Sequence, residues 1–287
     1  MSYDVLVIGG GPAGLSASIN VRARGRSALV VSNPLEENPL WRAEKVDNYL
    51  GLPGLSGAEM LAAMRRHAEQ AGVEFLAGKV LNAVQMPDAW YVSVGPDMYN
   101  ARAVVLAAGV ARGKKFAGEA ELLGRGVSYC ATCDGMLYRG KPVAVVGRSP
   151  DAPEEANFLK NLGCQVTYLA PKRPETLEAD IPFVQTGTVS IQGQLTVTGL
   201  TANGETIPCA GIFILRPAVA PTDLLPTLAT ANGAIQVDRS MATNLPGVFA
   251  AGDCTGAPYQ IAKAAGEGQV AALSACAYLD DPAHQTT

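Results

Sequence analysis

The 287-residue sequence has no apolar run of about 18 residues, the length that indicates a membrane-spanning helix. Charged residues make up only 17% and hydrophobic residues 48%, a composition that excludes disorder and allows a sizeable core. The formal net charge of −4 gives no basic surface for nucleic acid. We therefore expect a globular protein with room for two domains that binds neither a membrane nor nucleic acid.

Cysteine and histidine are too sparse for a disulfide scaffold or a zinc site. Of the six cysteines, only Cys130 and Cys133 are close in sequence. A secreted scaffold would be shorter and denser in cysteine, so the composition favours a reducing cytoplasm. The opening Met1-Ser2-Tyr3-Asp4 runs directly into an apolar strand, and we expect no signal peptide. Structural zinc would need two more ligands beside the close pair, and the remaining cysteines and both histidines are isolated, so no metal is expected.

The hydrophobic pattern contains two strand–helix–strand units. The first has short apolar strands at 5–8 and 28–31 around a helical pattern, and the second has strands at 142–146 and 165–169 around a helix at 154–162. Such units build parallel sheets with crossover helices. We therefore predict an α/β fold with two nucleotide-fold domains. Further elements are predicted as a helix at 57–71, strands near 74–76, 90–94 and 103–107, small antiparallel strands within 184–204, a strand at 248–251 and a helix at 260–279.

A glycine-rich loop, Gly-Gly-Gly-Pro-Ala-Gly at 9–14, follows the first strand and opens the first helix. Gly9 permits the tight turn, Gly11 lets the backbone approach a pyrophosphate, and Gly14 lets helix and strand pack closely. The helix N-terminus then faces the phosphates. Ser32 and Asn33 stand at the end of the second strand, where an NAD site would place an acidic residue, so this loop favours FAD over NAD.

A second fingerprint supports FAD. Residues 247–253, Gly-Val-Phe-Ala-Ala-Gly-Asp, form an apolar strand that ends in Gly252 and Asp253. Gly252 allows a close backbone approach, and the Asp253 carboxylate can accept a hydrogen bond from a ribityl hydroxyl. A capping aspartate after an ordinary strand is the plainer alternative.

The close cysteine pair is the sequence Cys130-Ala131-Thr132-Cys133, followed by Asp134. This spacing fits the first turn of a helix, where the helix dipole and backbone N–H groups lower the pKa of a thiol from about 8.5 to roughly 3.5–7.5. The carboxylate of Asp134 could give and take the proton that thiol–disulfide exchange requires. The four other cysteines are expected to be small core residues.

With these motifs the sequence resembles the low-molecular-weight flavin thioredoxin reductase family. The resemblance rests on the glycine loop and on four further segments, which are Lys-Val-Asp-Asn-Tyr at 45–49, Ala-Ala-Gly at 107–109, Gly-Val-Ser-Tyr-Cys-Ala-Thr-Cys-Asp-Gly at 126–135 and Phe-Ala-Ala-Gly-Asp at 249–253. It implies two Rossmann-like domains of three-layer β/β/α type and a homodimer. The FAD-binding domain would comprise residues 1–114 and 241–287. The inserted domain, residues 115–240, would carry the cysteine pair and a reduced, degenerate NADPH-binding fold.

The resemblance also implies roles for individual residues. Cys133 would lie against the flavin, Cys130 would attack the disulfide of a thioredoxin-like protein, and Asp134 would act as acid and base. Family members usually have Arg before the flavin-contacting Gln, where this chain has Tyr259, which we expect to flank the flavin. The residues expected to contact FAD are Gly9, Gly11, Pro12, Ala13, Gly14, Ser32, Asn48, Val80, Ala108, Gly109, Gly252, Asp253, Tyr259, Gln260 and Ile261.

The motifs of NADPH-dependent members are missing from the second unit. Those members carry Gly-Gly-Gly-x-x-Ala after the strand, where this sequence has Gly-Arg-Ser-Pro-Asp-Ala at 147–152. Ser149 places a Cβ where a pyrophosphate would press on the backbone, and Pro150 removes an N–H donor from the turn. The His-Arg-Arg cluster after the next strand is replaced by Ala-Pro-Lys-Arg at 170–173. The sequence therefore most resembles the ferredoxin-dependent and deeply rooted members.

Ferredoxin is the predicted electron donor. A donor near −400 mV and a thioredoxin near −270 mV are separated by about 130 mV, or roughly 6 kcal/mol for two electrons. Flavin can accept electrons singly and pass on a pair. A reduced deazaflavin or NADPH as donor, an FAD-dependent oxidase of small dithiols that uses oxygen, and a flavin-bound redox sensor remain alternatives.

Overall fold

The structure is a computed structural model that describes residues 2–110, 115–216 and 220–284. The elements up to residue 110 are β1 (Ser2–Ile8), α1 (Pro12–Ala23), β2 (Ala28–Ser32), α2 (Gly57–Gln70), β3 (Glu74–Ala77), β4 (Val80–Gln85), β5 (Trp90–Val94) and β6 (Asp97–Leu106). Single turns of 3₁₀ helix cover Leu35–Glu37 and Pro39–Arg42.

The remaining elements follow in the same order along the chain. Those before residue 217 are α3 (Glu119–Leu122), β7 (Val127–Ser128), α4 (Ala131–Asp134), β8 (Pro142–Gly147), α5 (Ala152–Asn161), β9 (Gln165–Ala170), β10 (Phe183–Gln185), β11 (Ser190–Gly193), β12 (Val197–Ala202), β13 (Glu205–Pro208) and β14 (Gly211–Leu215). Those after residue 219 are α6 (Pro221–Leu224), β15 (Thr230–Ala231), β16 (Ala234–Ile235), β17 (Val248–Ala250) and α7 (Ile261–Asp280). Further 3₁₀ turns cover Gly135–Tyr138, Asp253–Thr255 and Pro282–His284.

The chain divides into two compact units. The first unit comprises Met1–Ala111 and Ala218–Thr287, and the second comprises Arg112–Pro217. The sequence predicted an inserted segment of 115–240. The entry into the second unit therefore lies close to the predicted one, but residues 218–240 group with the first unit. One reason is a hydrogen-bonded turn in which the Asp238 carboxylate accepts from the N–H of Ala242, while Ala242 pairs with Phe249 in β17.

The first unit is built on a parallel sheet of order β3-β2-β1-β6-β17, to which β5 and β4 add an antiparallel extension from β6. The register places Ile8 opposite both Val31 and Leu106, and Leu106 opposite Ala250. The carboxyl ends of these parallel strands therefore lie at one edge. Helix α1 begins at Pro12, and proline is favoured at the first position of a helix. The helix packs with α7 over a core of small and branched side chains.

The second unit repeats this layout on a smaller scale. Its five strands are all parallel, in the order β10-β9-β8-β14-β7, and β11, β12 and β13 form a separate antiparallel sheet. Side chains alternate across β8: Val143 and Val145 pack toward α5, and Ala144 and Val146 pack into the core that includes β12. The predicted α/β class with two Rossmann-like units is confirmed.

Two details of the second unit differ from the sequence prediction. Phe183–Gln185 pairs in parallel with β9, so the expectation of antiparallel strands is wrong for this part of the segment 184–204. The fully buried strand Gly211–Leu215, which pairs with β8 and β7, was not predicted. Over the described ranges 2–110, 115–216 and 220–284, no helix combines the length and apolar character needed to cross a membrane.

Candidate active site

The glycine loop after β1 is packed so tightly that only glycine fits at two positions. Gly9 has φ of +115°, and a Cβ there would lie 2.2 Å from the carbonyl oxygen of Ala107. A Cβ on Gly14 would lie 1.9 Å from the carbonyl oxygen of Gly9. Both distances are far inside van der Waals contact, so these glycines let the loop, β6 and α1 approach each other closely.

The N-terminus of α1 is open to an anion. Gly11 is its N-cap residue, and no side chain among the described residues caps the helix. The first backbone N–H groups of this 12-residue helix thus remain available, which is the arrangement that binds a pyrophosphate. A Cβ at Gly11 would lie 3.1 Å from Nδ2 of Asn38, a neighbour of the loop that the sequence motif did not indicate. The loop therefore fits the pyrophosphate of a dinucleotide cofactor.

Other residues predicted to contact FAD lie at the same edge of the first unit. Ser32 ends β2 beside Gly10, where a Cβ would come within 2.8 Å of the serine side chain. Ala108 and Gly109 directly follow β6. The buried Val80 begins β4 just after β3, whose register brings Ala77 opposite Ser32. This edge lies at the carboxyl ends of parallel strands, the position at which open α/β sheets bind ligands.

The Gly-Asp fingerprint after β17 is held by a charged network that the sequence analysis missed. Lys263 Nζ donates to the carbonyl oxygens of Gly252 and Gly256 at 2.8 and 2.7 Å, and it forms an ion pair with Glu267. Glu267 in turn accepts from the N–H of Gly252 at 2.9 Å. Burial raises the pKa of the Asp253 carboxyl, and the nearby Lys263 ammonium opposes that rise. The i,i+4 spacing of Lys263 and Glu267 on α7 was visible in the sequence, but their contact with the turn depends on the fold.

The start of α7 carries the remaining predicted cofactor residues. Asn48 donates to the side-chain oxygen of Gln260 at 2.9 Å, so the structure joins two residues that are 212 positions apart. Gln260 is the N-cap residue of α7, and Ile261 is its first residue. Tyr259 is exposed, as are Asn48 and Gln260. Every residue predicted to contact FAD thus belongs to the first unit.

The cysteine pair belongs to the second unit and is oxidised. Cys130 and Cys133 form a disulfide with their Cα atoms 5.4 Å apart. Cys130 is the N-cap residue of α4, and its sulfur accepts a hydrogen bond from the N–H of Cys133 at 3.2 Å. Cys130 is only 8% exposed, whereas Cys133 is exposed. The predicted helical first turn is therefore present, and the two sulfurs differ in their access to solvent.

Three polar side chains surround this turn. Asp134 accepts a hydrogen bond from the Ser128 hydroxyl at 2.7 Å, and the same hydroxyl oxygen lies 3.1 Å from the N–H of Cys130. Glu155, on α5, accepts from the N–H of Ala131 at 2.8 Å. Neither Ser128 nor Glu155 was predicted, because their contacts with the cysteine turn arise from chain segments that only the fold brings together.

A buried ion pair lies beside the residue that precedes Cys130. Glu119 is fully buried, and its carboxylate accepts two hydrogen bonds from Arg216 at 2.5 and 2.8 Å. It also accepts from the hydroxyl of Tyr129 at 2.9 Å and from the N–H of Phe116 at 2.8 Å. Burial alone would raise the pKa of Glu119, but Arg216 and these hydrogen bonds lower it overall.

The loop after β8, the expected place of a degenerate NADPH-binding motif, is lined by this chain's own side chains. A Cβ at Gly147 would lie 1.9 Å from the hydroxyl oxygen of Tyr168, which is almost fully buried. Burial raises the pKa of Tyr168 to about 12. Arg148 donates to the carbonyl oxygen of Gly187 at 2.7 Å, and its guanidinium lies 5.4 Å from the centre of the Phe116 ring. This loop has no open glycine cradle.

Comparison with known proteins places this geometry in a family. The model of the pyridine nucleotide-disulphide oxidoreductase family matches residues 3–268. A thioredoxin reductase of Aquifex aeolicus is 35% identical over an alignment of 274 residues, and the match covers 88% of this chain and 85% of that protein. A ferredoxin-flavin thioredoxin reductase from Clostridium acetobutylicum has 40% identity, a TM-score of 0.90 and 98% coverage of both chains. A thioredoxin reductase from Gloeobacter violaceus has 32% identity and a TM-score of 0.82, and covers 97% of this chain and 95% of that one.

The chain belongs to the pyridine nucleotide-disulphide oxidoreductase family. Within it, the chain is an enzyme of the thioredoxin reductase type, a flavoprotein oxidoreductase that acts on a disulfide, with FAD as its cofactor. The predictions of family, enzyme class and cofactor are confirmed.

Proposed function

We propose that this enzyme passes electrons through FAD and the Cys130–Cys133 pair to a thioredoxin-like protein, and that its electron donor is ferredoxin rather than NADPH. The observation that carries the choice of donor is the filled loop after β8. The relative from Clostridium acetobutylicum, whose description includes ferredoxin, supports the same choice. We also propose, from the family resemblance and the cysteine usage, that the protein is a cytoplasmic homodimer.

The case against NADPH is steric and polar. The Tyr168 hydroxyl lies against Gly147, and the Arg148 guanidinium donates a hydrogen bond to the carbonyl oxygen of Gly187. Ser149 is buried with its hydroxyl oxygen lacking any hydrogen-bond partner among the described residues, so the turn is closed around a side chain rather than opened toward a phosphate. A pyrophosphate at this turn would face Arg148, Ser149 and Pro150 in place of the open glycine backbone of the loop at 9–14.

FAD would be held entirely by residues of the first unit. The N-terminal amides of α1 would bind the pyrophosphate, and Asp253 would accept from a ribityl hydroxyl. When bound, FAD supplies a carrier that takes electrons singly from ferredoxin and gives a pair to the disulfide. Asn48 and Gln260, which are hydrogen-bonded to each other, would fix the N-terminus of α7 beside the cofactor.

Thiol–disulfide exchange is assigned to the cysteine turn. In the reduced enzyme one thiol gives its proton to Asp134, and the resulting thiolate attacks one sulfur of the substrate disulfide. A mixed disulfide forms, and the substrate's other sulfur leaves as a thiolate that takes up a proton. The second enzyme thiol then loses its proton and attacks the mixed disulfide, which restores Cys130–Cys133 and releases the substrate dithiol. Two electrons and two protons move in total.

The surroundings of the pair favour a protein substrate over a small dithiol. Cys133 is exposed, and the next turn presents Met136 and Leu137 with 61% and 67% of their surface exposed. Exposed apolar side chains beside a reactive pair are typical of a protein-docking surface. The resemblance implies that Cys130 attacks the substrate, whereas burial favours Cys133 as the sulfur that a partner reaches in this oxidised form. We propose Cys130 as the attacking sulfur, and the Cys133→Ser variant tests this assignment.

The donor is tested by anaerobic stopped-flow with the FAD-loaded enzyme. Reduced ferredoxin should bleach the flavin and support reduction of a thioredoxin disulfide, whereas NADPH should bleach it slowly or not at all. A variant with glycine at Arg148, Ser149 and Pro150 should not gain NADPH use, because the basic cluster after β9 would still be missing. Bleaching of the unmodified enzyme by micromolar NADPH at catalytic rates would refute the proposed donor.

A further inference from the structure

We propose that Ser128 is a positioning residue for thiol–disulfide exchange, because its hydroxyl fixes the Asp134 carboxylate against the peptide group of Cys130. The inference rests on the proposed acid–base function of Asp134. It adds a residue from outside the Cys-x-x-Cys-Asp motif to the exchange machinery.

Ser128 is rigidly placed by the sheet. It is the last residue of β7 and is buried, and the parallel register sets it opposite Phe213 in β14. Phe213 is itself fully buried in the core that lies under α5. The serine backbone is therefore fixed, and its hydroxyl is a defined point from which the cysteine turn can be oriented.

The hydrogen bonds of Ser128 have one consistent assignment. Its single hydroxyl proton has two acceptors in reach, the Asp134 carboxylate at 2.7 Å and the carbonyl oxygen of Cys130 at 3.2 Å. The shorter, charge-assisted bond to the carboxylate is the stronger one. The hydroxyl oxygen then accepts from the N–H of Cys130 at 3.1 Å. Ser128 thus bridges Asp134 and the backbone of the cysteine.

This bridge leaves one carboxylate oxygen of Asp134 available for proton exchange. The Ser128 hydroxyl binds Oδ2 of Asp134, and within the described residues no other group is hydrogen-bonded to this side chain. Oδ1 is therefore the atom that can exchange a proton with a thiol. Two other titratable groups lie around the turn, Glu155 at the N–H of Ala131 and Tyr138, whose pKa is raised by burial and by the charge of Asp134.

The test is a double-mutant cycle on the rate of exchange. Ser128→Ala should slow exchange about ten- to hundredfold, the effect expected for losing a hydrogen bond to a charged group. In an Asp134→Asn background the same change should cost less than about twofold, because there is no longer a carboxylate to hold. Ser128→Thr, which keeps the hydroxyl, should recover most of the rate, and Ser190→Ala, an exposed serine of the same unit, should have no effect.

The rate is measured on the intact, FAD-loaded enzyme after reduction of its disulfide, by anaerobic mixing with 5,5′-dithiobis(2-nitrobenzoate). This aromatic disulfide needs no docking surface, so the result does not depend on which protein is the substrate. Unchanged circular dichroism and thermal unfolding of each variant exclude a general loss of structure.

The possible results separate the inference from the proposed function. A Ser128→Ala effect of equal size in both backgrounds would overturn the positioning role, as would normal exchange by Ser128→Ala when Asp134→Asn is slow. Normal exchange by Asp134→Asn would remove the acid–base function itself, and the inference would fail with it. A slow Asp134→Asn variant, together with a Ser128→Ala loss that is seen only when Asp134 is present and is rescued by Ser128→Thr, supports both.

Discussion

Replacing Arg216 by Met should destabilise the second unit by about 3–5 kcal/mol, the cost of leaving a buried charge without its partner. Glu119 has no exposed surface, and only 13% of the Arg216 side chain is exposed. The methionine keeps most of the volume of the arginine but removes two of the four hydrogen bonds that the carboxylate accepts. The bonds from Tyr129 and Phe116 remain and cannot neutralise the charge.

The four free cysteines allow this loss to be measured in each unit separately. Cys164 and Cys209 are buried in the second unit, and Cys254 and Cys276 are buried in the first. A loss of 3–5 kcal/mol corresponds to a rise of roughly 10²- to 10⁴-fold in the opening equilibrium. Pulsed alkylation followed by mass spectrometry should therefore show much faster labelling of Cys164 and Cys209.

The controls follow from the same geometry. Arg125→Met changes an exposed arginine of the second unit and should leave the labelling rates unchanged. Adding Glu119→Gln to Arg216→Met should recover part of the lost stability, because the buried carboxylate is gone. Acceleration below about fivefold (roughly 1 kcal/mol) at Cys164 and Cys209, or acceleration confined to the cysteines of the first unit, would refute the reasoning.

Three further predictions concern the same unit. The pKa of Glu119 is lowered in the folded state, so its ionised carboxylate stabilises the protein fully above the ordinary glutamate range. This contribution to the free energy of unfolding is lost as the pH falls through the folded pKa. In urea unfolding, the difference in stability between the native protein and Glu119→Gln should therefore shrink below about pH 4.5. Glu155→Gln removes a negative charge at the N-terminus of α4 and should speed iodoacetamide alkylation of the reduced pair about two- to fivefold, while the neighbouring Glu154→Gln should not. Cys133→Ser should trap a mixed disulfide between Cys130 and a thioredoxin, seen by mass spectrometry. Trapping by the Cys130→Ser variant alone would reverse the assigned roles.

The parts of the fold that were predicted from sequence are those whose structure is determined by a short, contiguous stretch of residues. The apolar runs of β1, β2, β5 and β8 are each bounded by glycine, proline or polar residues, and the predicted limits lie within a few residues of the structure. Strand β14 has an equally apolar sequence but lies after a segment of alternating small and polar residues, which hid the return to a parallel sheet. The start of α5 was placed two residues late, because the proline at its first turn is compatible with either a loop or a helix.

The candidate active site likewise has parts that the sequence predicts and parts that depend on the fold. The glycine loop and the cysteine pair are contiguous motifs, so their geometry could be expected from spacing alone. The contacts of Ser128 with Asp134, of Glu155 with Ala131 and of Tyr168 with Gly147 could not, because each depends on how separate elements pack. The last contact bears on the proposed donor, because the Tyr168 hydroxyl lies beside Gly147 at the start of the turn that carries Ser149 and Pro150.

The cysteine turn of the second unit is held by contacts from two other elements. The cysteine turn is supported from β7 through Ser128 and from the body of α5 through Glu155. Gly135 lets α5 approach closely, since a Cβ there would lie 2.8 Å from Cδ2 of Leu159. Whatever molecule donates the electrons, the second unit has to be folded, because its sheet is the frame on which Cys130 and Cys133 are held.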